Sequence, residues 1–279
     1  MSDLLSSYLR KKLRGIRLIL TVGTGRNGSA HLAKLLSYVP GIASFHEPAP
    51  YFWQPMHEAL RDRQVGIDFW REKKLPIIAE CANLVYFESS HLACKGLLEA
   101  LVELDVEFDL IHLRRDPRKV ALSLLRLETI PGRTELGRQY LWSPEEVRGY
   151  SQLDTSNWDD YQMTYWYAKS MDSVASAWRD RAASIGSRFC SIDLEELVTF
   201  GGFRRLLSEL QLKQTSLLTW NRFARNRKSK TNSRTYAEPI EIGGRKLDQL
   251  ESEIHEALES ARYELTLDQT RDVEGGERS

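Results

Sequence analysis

The chain is poor in cysteine, carries no net charge and has no long apolar run. Three cysteines in 279 residues, Cys81, Cys94 and Cys190, are too few and too widely spaced for a disulfide framework or a zinc site. They read as buried or half-buried thiols in a reducing compartment. Lysine plus arginine and aspartate plus glutamate number 39 each, so no global field favours nucleic acid or an anionic membrane as a partner. The apolar run near the N-terminus, "LILTV", follows basic residues but is far shorter than a signal h-region or a membrane span. Internal repeats and low-complexity tracts are absent as well. What these absences leave is a globular, cytoplasmic protein, in keeping with 42% hydrophobic and 28% charged residues. A chain of this length buries one sizeable core, and residues 1–279 are read as a single α/β domain.

What is present is an alternation of apolar strands and amphipathic segments, the pattern of a three-layer α/β fold around a central parallel sheet. Arg17 to Val22 is predicted as the first strand and Ser29 to Tyr38 as the helix after it. "GIASFHEP" gives a second strand ending at His46–Glu47, "LPIIAEC" a third, and a helical stretch from Ser89 to Leu104 follows. "FDLIHLRRDP" is the fourth, with a helix from Pro117 to about Leu127, since proline favours the first helical position. A long helix from about Tyr161 to Ala183 and a fifth strand in "RFCSIDLEEL" complete the pattern. Residues 129–160 break the rhythm with prolines, glycines and aromatics and read as a lid-like excursion. The tail after about residue 269 is expected to be frayed.

The stretch richest in chemistry is "LILTVGTGRNGSAHLAKLL". A strand, a glycine-rich turn and a helix are the setting in which backbone N–H groups and a helix N-terminus hold an anion. Ser29 is placed to cap that helix and to offer its hydroxyl to the same anion. A nucleotide triphosphatase would carry Lys after the last glycine and then a Ser or Thr for Mg²⁺, whereas this chain has Ser29 and Ala30. The cation stands inside the loop instead, at Arg26. Transfer of a multiply charged phosphoryl group loses its neutralising partners here, while a sulfuryl group carries less charge and requires no metal. A second basic stretch, "HLRRDPRKVALS", places Arg115 at a strand end and Ser123 eight residues later on the next helix. A planar guanidinium suits a terminal phosphate; Arg118 and Lys119 read as a solvated corner.

Together these two stretches resemble the donor-binding motifs of sulfotransferases that use 3′-phosphoadenosine 5′-phosphosulfate (PAPS), a family with a P-loop NTPase-like fold. The resemblance covers most of residues 17–200, with specific motifs in the first half only. It implies that Gly25, Arg26, Asn27, Gly28, Ser29 and Ala30 bind the 5′-phosphate side, and Arg115 and Ser123 the 3′-phosphate. Asn27 and Ala30 depart from the family's Ser and Thr, leaving more of the work to backbone amides. "FCSIDLEEL" is a weaker echo, and "RNRKSKTNSR" stands where the family often has a basic loop over the 3′-phosphate, making Lys228 and Lys230 candidates.

Transfer to an acceptor hydroxyl or amine requires a base, and the second strand, expected beside the first, opens its carboxyl end onto the same crevice as the loop. By the same resemblance Glu47, twenty-one residues beyond Arg26, is favoured, with His46 the rival and His31 a distant third. Strand alternation predicts that only one of His46 and Glu47 reaches the acceptor, and Pro48 turning the chain outward favours Glu47. Arg26 is expected to oppose charge on the departing phosphate. Glu80, at the end of the predicted third strand, is another carboxylate for the crevice. In the excursion, Tyr140, Trp142, Tyr150, Trp158 and Tyr161 accompany Glu145, Glu146, Asp154, Asp159 and Asp160. They form either a cradle for a small aromatic or cationic acceptor or a lid packed on the core. The expected activity is metal-independent sulfuryl transfer to a small molecule. A P-loop kinase and a non-catalytic nucleotide-binding protein of the same fold are the alternatives.

Overall fold

The computed structural model describes residues 5–146, 153–212, 215–229 and 247–260. Five strands form one sheet: β1 (Arg17–Val22), β2 (Ile42–His46), β3 (Val85–Ser89), β4 (Phe108–Arg114) and β5 (Phe189–Asp193). Their spatial order is β2-β3-β1-β4-β5, and every neighbouring pair is parallel. Helices flank the sheet, giving the layered α/β arrangement expected. On β1, Leu18, Leu20 and Val22 join one apolar cluster while Ile19 joins another, so the strand is apolar on both faces, as a covered parallel sheet requires.

Local signals set the helices that frame the cleft. The helix Ser29–Leu36 turns Leu32, Leu35 and Leu36 into the second cluster, the spacing of one helical face. The helix Pro117–Leu125 begins with proline and is capped by Asp116, whose carboxylate accepts the Arg118 N–H at 2.9 Å. The long helix Asp160–Ser184 starts in a capping box formed by Asp159 and Gln162 and packs along Pro117–Leu125. Its Trp166, Tyr167 and Trp178 are fully buried, so the aromatic spacing there is core.

Three expectations are corrected. "LPIIA" is a helix, Leu75–Ala79, and the third strand is the β-branched and aromatic run Val85–Ser89. Pro76 has no N–H for a sheet ladder but is tolerated in a first helical turn. Ser89 accordingly ends a strand, and only Leu98–Glu103 of the expected 89–104 helix is helical. Lastly, β3 separates β2 from β1, so the His46 and Glu47 strand end is not adjacent to the phosphate-type loop but one strand removed. The excursion is less irregular than expected: it holds a helix, Glu135–Tyr140, and buries Ile130, Leu141 and Trp142. The tail after residue 269 and residues 147–152 lie outside the described residues. No helix among the described residues is long and apolar enough to cross a membrane.

Candidate active site

A cleft of about 1160 Å³ opens at the carboxyl ends of the strands, and the loops after all five contribute to its wall. This is where open parallel sheets bind ligands. The loop after β1 supplies Gly25, Arg26, Gly28, Ser29 and Ala30. Gly25 has φ 71°, and a Cβ there would stand 3.0 Å from ring carbons of His91. Arg26 also takes a left-handed conformation, φ 53°, which costs an ordinary residue about 1–2 kcal/mol. Tertiary contacts hold it there: Arg26 Nε donates to Ser123 Oγ at 3.1 Å, and Arg115 Nη1 donates to the Arg26 carbonyl at 2.7 Å. Ser29 is the first helical residue and does not cap; the N-cap is Gly28, φ 97°, with no side-chain bond. The first amides of that helix therefore face the cleft end without a capping side chain, as an anion site requires.

Asn27 is the exception among the loop residues. Its side chain turns away from the cleft and donates from Nδ2 to the Leu113 carbonyl at 2.8 Å, pinning the loop to the end of β4. At 2% exposure it is a buried brace, and its departure from a hydroxyl residue takes no phosphate-facing group from the wall. Arg115 and Ser123 line the same cleft as Arg26, so residues far apart in sequence converge on one corner. Lys228 lines it as well, together with Arg227 and Ser229; Lys230 lies outside the described residues. The late basic segment is held by the loop helix: His31 donates Nε2–H to the Arg227 carbonyl at 3.0 Å, and Lys34 donates to Ser229 Oγ at 3.1 Å. Burial pushes the His31 imidazole down against that hydrogen bond. His31 thus serves as a clamp on that segment.

Both His46 and Glu47 also reach the cleft wall, contrary to strict alternation. Strand geometry ends at His46, and Glu47 has φ 48°, which swings its carboxylate back toward the cleft. Glu47 Oε1 lies 3.1 Å from His91 Nδ1. His91 stands two residues beyond β3, with its ring against Gly25. His46 Nδ1 lies 3.1 Å from Ser89 Oγ. Burial alone would raise the Glu47 carboxyl, but the His91 hydrogen bond and the nearby His91, His46 and Lys95 hold it down at about 2. Burial, aided by Lys95, lowers His91 against the pull of Glu47. The pair is then a carboxylate accepting Nδ1–H from a neutral imidazole, which leaves Nε2 as the ring nitrogen able to take a proton. Glu80 is absent from this wall: it bonds Tyr8 and Lys12 on the outside, because its segment is helix rather than strand.

The remaining wall is aromatic. Tyr51, Trp53 and Tyr140 form a run with ring centroids 6.4 and 6.3 Å apart. Of the aromatic and acidic residues singled out in the excursion, Tyr140 alone among those described lines the cleft. Trp142 and Tyr161 are buried, Trp158 packs on the core, and Tyr150 lies outside the described residues. Glu145 is exposed, Glu146 is bound by His57 at 2.7 Å, and Asp160 by Arg133 at 2.7 Å. Asp159 caps the long helix and Asp154 accepts the Ser156 N–H. The acidic cradle for a cation is not assembled. Behind Tyr140, fully buried Lys95 donates to its carbonyl at 2.8 Å, with Nζ 5.0 Å from the Tyr167 ring. The Tyr167 hydroxyl in turn donates to the Thr24 carbonyl, linking this wall to the phosphate-type loop.

No protein-family model matches the chain, and no curated protein matches it. The chain is an α/β protein whose glycine-rich loop after β1 and carboxylate–imidazole pair line one cleft. His91 is the residue that sequence reading missed. Once "VYFES" is read as the third strand, "SHL" falls just past its end, in the same position relative to the cleft as "HEP" after β2.

Proposed function

We propose that this protein is a PAPS-dependent sulfotransferase acting on a hydroxyl of a small, uncharged aromatic or apolar acceptor. The observation that carries the reading is that Arg26, Arg115 and Ser123 are hydrogen-bonded together on the wall of one cleft, which the 227–229 segment and the Glu47–His91 pair also line. The arginine corner suits a nucleotide with phosphates at both ends of the ribose. Arginine forks and helix amides there replace the Lys and Mg²⁺ of a phosphoryl-transfer site.

In this scheme His91 Nε2 takes the acceptor's proton as the acceptor oxygen bonds to sulfur. The bond between sulfur and the 5′-phosphate oxygen breaks, and its electron pair stays on that phosphate. Arg26 and the loop amides oppose the new phosphate charge. Glu47 orients the imidazole and balances the charge it acquires. A carboxylate held at about 2 is itself a weak base, so the imidazole is the better proton acceptor and Glu47 its partner. Tyr51, Trp53 and Tyr140 provide a wall for a flat or apolar skeleton.

The test is transfer of labelled sulfate from PAPS, in the presence of a chelator, to a panel of phenols, apolar alcohols and cationic amines. Transfer to the uncharged hydroxyl compounds is expected, with His91→Ala and Glu47→Gln each slower by about 10²–10⁴-fold. Absence of transfer to every acceptor, together with magnesium-dependent ATP turnover, would overturn the reading.

A further inference from the structure

Lys74 and Glu88 form an ion pair that is buried to a degree unusual for charged side chains: 1% and 0% exposed, with Nζ and Oε1 2.8 Å apart. The pair is one part of a larger arrangement. Lys74 Nζ also donates to the carbonyls of Pro48 and Pro50, each at 3.0 Å. Its three ammonium donors are thus fully used. The second carboxylate oxygen of Glu88 accepts the Tyr86 hydroxyl at 2.9 Å. Nζ also stands 4.5 Å from the centre of the Phe52 ring.

Pro48 and Pro50 belong to the "EPAP" turn that follows β2. That turn carries Glu47 on one side and the cleft-lining Tyr51, Phe52 and Trp53 on the other. Pro48 and Pro50 have no N–H, which leaves the turn short of internal donors, and the two proline carbonyls are met by a donor from elsewhere. Lys74 supplies that donor from beneath, while Glu88 anchors the ammonium to β3, the strand that leads into His91. One buried unit therefore touches the turn holding Glu47 and the strand ending beside His91.

We infer that the Lys74–Glu88–Tyr86 cluster is a positioning device for the cleft, holding the Glu47 turn in register with His91 and setting the aromatic wall at Tyr51 and Trp53. None of the three side chains lines the cleft, so each acts through the turn and the strand. A buried ion pair is by itself weak evidence for stability, and an uncharged replacement of both partners is often tolerated. The pair's distinguishing feature here is the two proline carbonyls, which an apolar replacement of Lys74 leaves without a donor. The inference rests on the sulfuryl-transfer reading only for its effect on rate; the geometric part stands apart from any activity.

Burial pushes the Glu88 carboxyl up, to about 7, and the Lys74 ammonium down, each opposed by the partner's charge. Removing one charge strands the other, so Lys74→Met alone is prone to misfold and the double variant Lys74→Met/Glu88→Gln is the informative one. In the full-length chain three quantities are compared with wild type: the titration of the His91 imidazole by NMR, the affinity for 3′-phosphoadenosine 5′-phosphate, and sulfate turnover. Expected are a downward shift of the His91 titration as Glu47 moves off and nucleotide affinity within about threefold of wild type. Turnover is expected to fall by about 10²-fold, the order of loss for an ångström-scale misplacement. Tyr86→Phe, which keeps both charges, should shift His91 in the same direction by less. An unchanged His91 titration in a folded double variant overturns the inference. If wild type transfers no sulfate, the functional reading fails alone, and the His91 titration still decides whether the cluster positions Glu47.

Discussion

Gly25→Ala adds one methyl group at the point where the phosphate-type loop meets His91. Two effects combine there. The backbone sits at φ 71°, a conformation that costs a non-glycine residue about 1–2 kcal/mol. The added Cβ would also stand 3.0 Å from Cδ2 and Cγ of His91, tighter than most Cβ contacts, so the ring or the loop must give by a few tenths of an ångström. Gly186 separates the two effects: it has φ 72° and nothing within 4 Å of its Cβ position. A stiffer unfolded chain returns roughly 0.4–1 kcal/mol to either variant. Gly186→Ala is therefore expected to lose about 1 kcal/mol or less, which lowers Tm by about 2–4 °C for a domain of this size. Gly25→Ala should lose a further 1–3 kcal/mol or so from overpacking. Thermal unfolding and calorimetric titration with 3′-phosphoadenosine 5′-phosphate measure both consequences. Gly25→Ala should also weaken nucleotide binding while Gly186→Ala leaves it unchanged. Equal Tm losses and wild-type binding in both variants would refute the claim that the loop and His91 are packed against each other.

Two further predictions concern parts of the cleft that do not face ligand. Asn27→Ala deprives the buried Leu113 carbonyl of its donor and should destabilise the chain by about 1–3 kcal/mol, read as a lower midpoint in urea unfolding; a midpoint equal to wild type would exclude the brace. Burial lowers Lys95 to about 7, below the 10.5 of an unfolded lysine, so folding releases its proton and its contribution to stability rises as pH climbs from 7 toward 10.5. Between pH 7 and 9 wild type should gain about 2–3 kcal/mol relative to Lys95→Met, seen as a steeper pH dependence of Tm; parallel curves for the two proteins would mean that Lys95 is not desolvated.

The parts of the site legible in sequence were those where a strand hands over directly to a loop and a helix. β1 with its glycine turn, and β4 with the Asp116 cap and Pro117, carry local signals in sequence, and Arg26, Arg115 and Ser123 that follow them line the cleft. The third strand was misplaced because "LPIIAEC" and "LVYFESS" are both short apolar runs, which periodicity alone cannot tell apart. Pro76 was the available discriminator. A third strand in "LPIIAEC" puts Glu80 at a strand end and His91 inside a helix, whereas Glu80 pairs with Lys12 away from the cleft and His91 stands just past β3. Glu47 and His46 share the cleft only because Glu47 leaves strand geometry, a conformational fact with no sequence signature. The carboxylates after residue 140 leave a cationic acceptor open in sequence because composition cannot assign their partners, which are His57, Arg133, the N-terminus of the long helix and the Ser156 amide.

On the function we propose, the corner formed by Arg26, Arg115 and Ser123 holds a nucleotide phosphorylated at both its 3′ and 5′ positions without a divalent ion. Isothermal titration with 3′-phosphoadenosine 5′-phosphate in a chelating buffer, for wild type and Arg115→Ala, decides the matter. Micromolar binding by wild type, weakened at least about tenfold by loss of the arginine fork, is the predicted result. No heat of binding from wild type, or equal affinity in the two proteins, would contradict it.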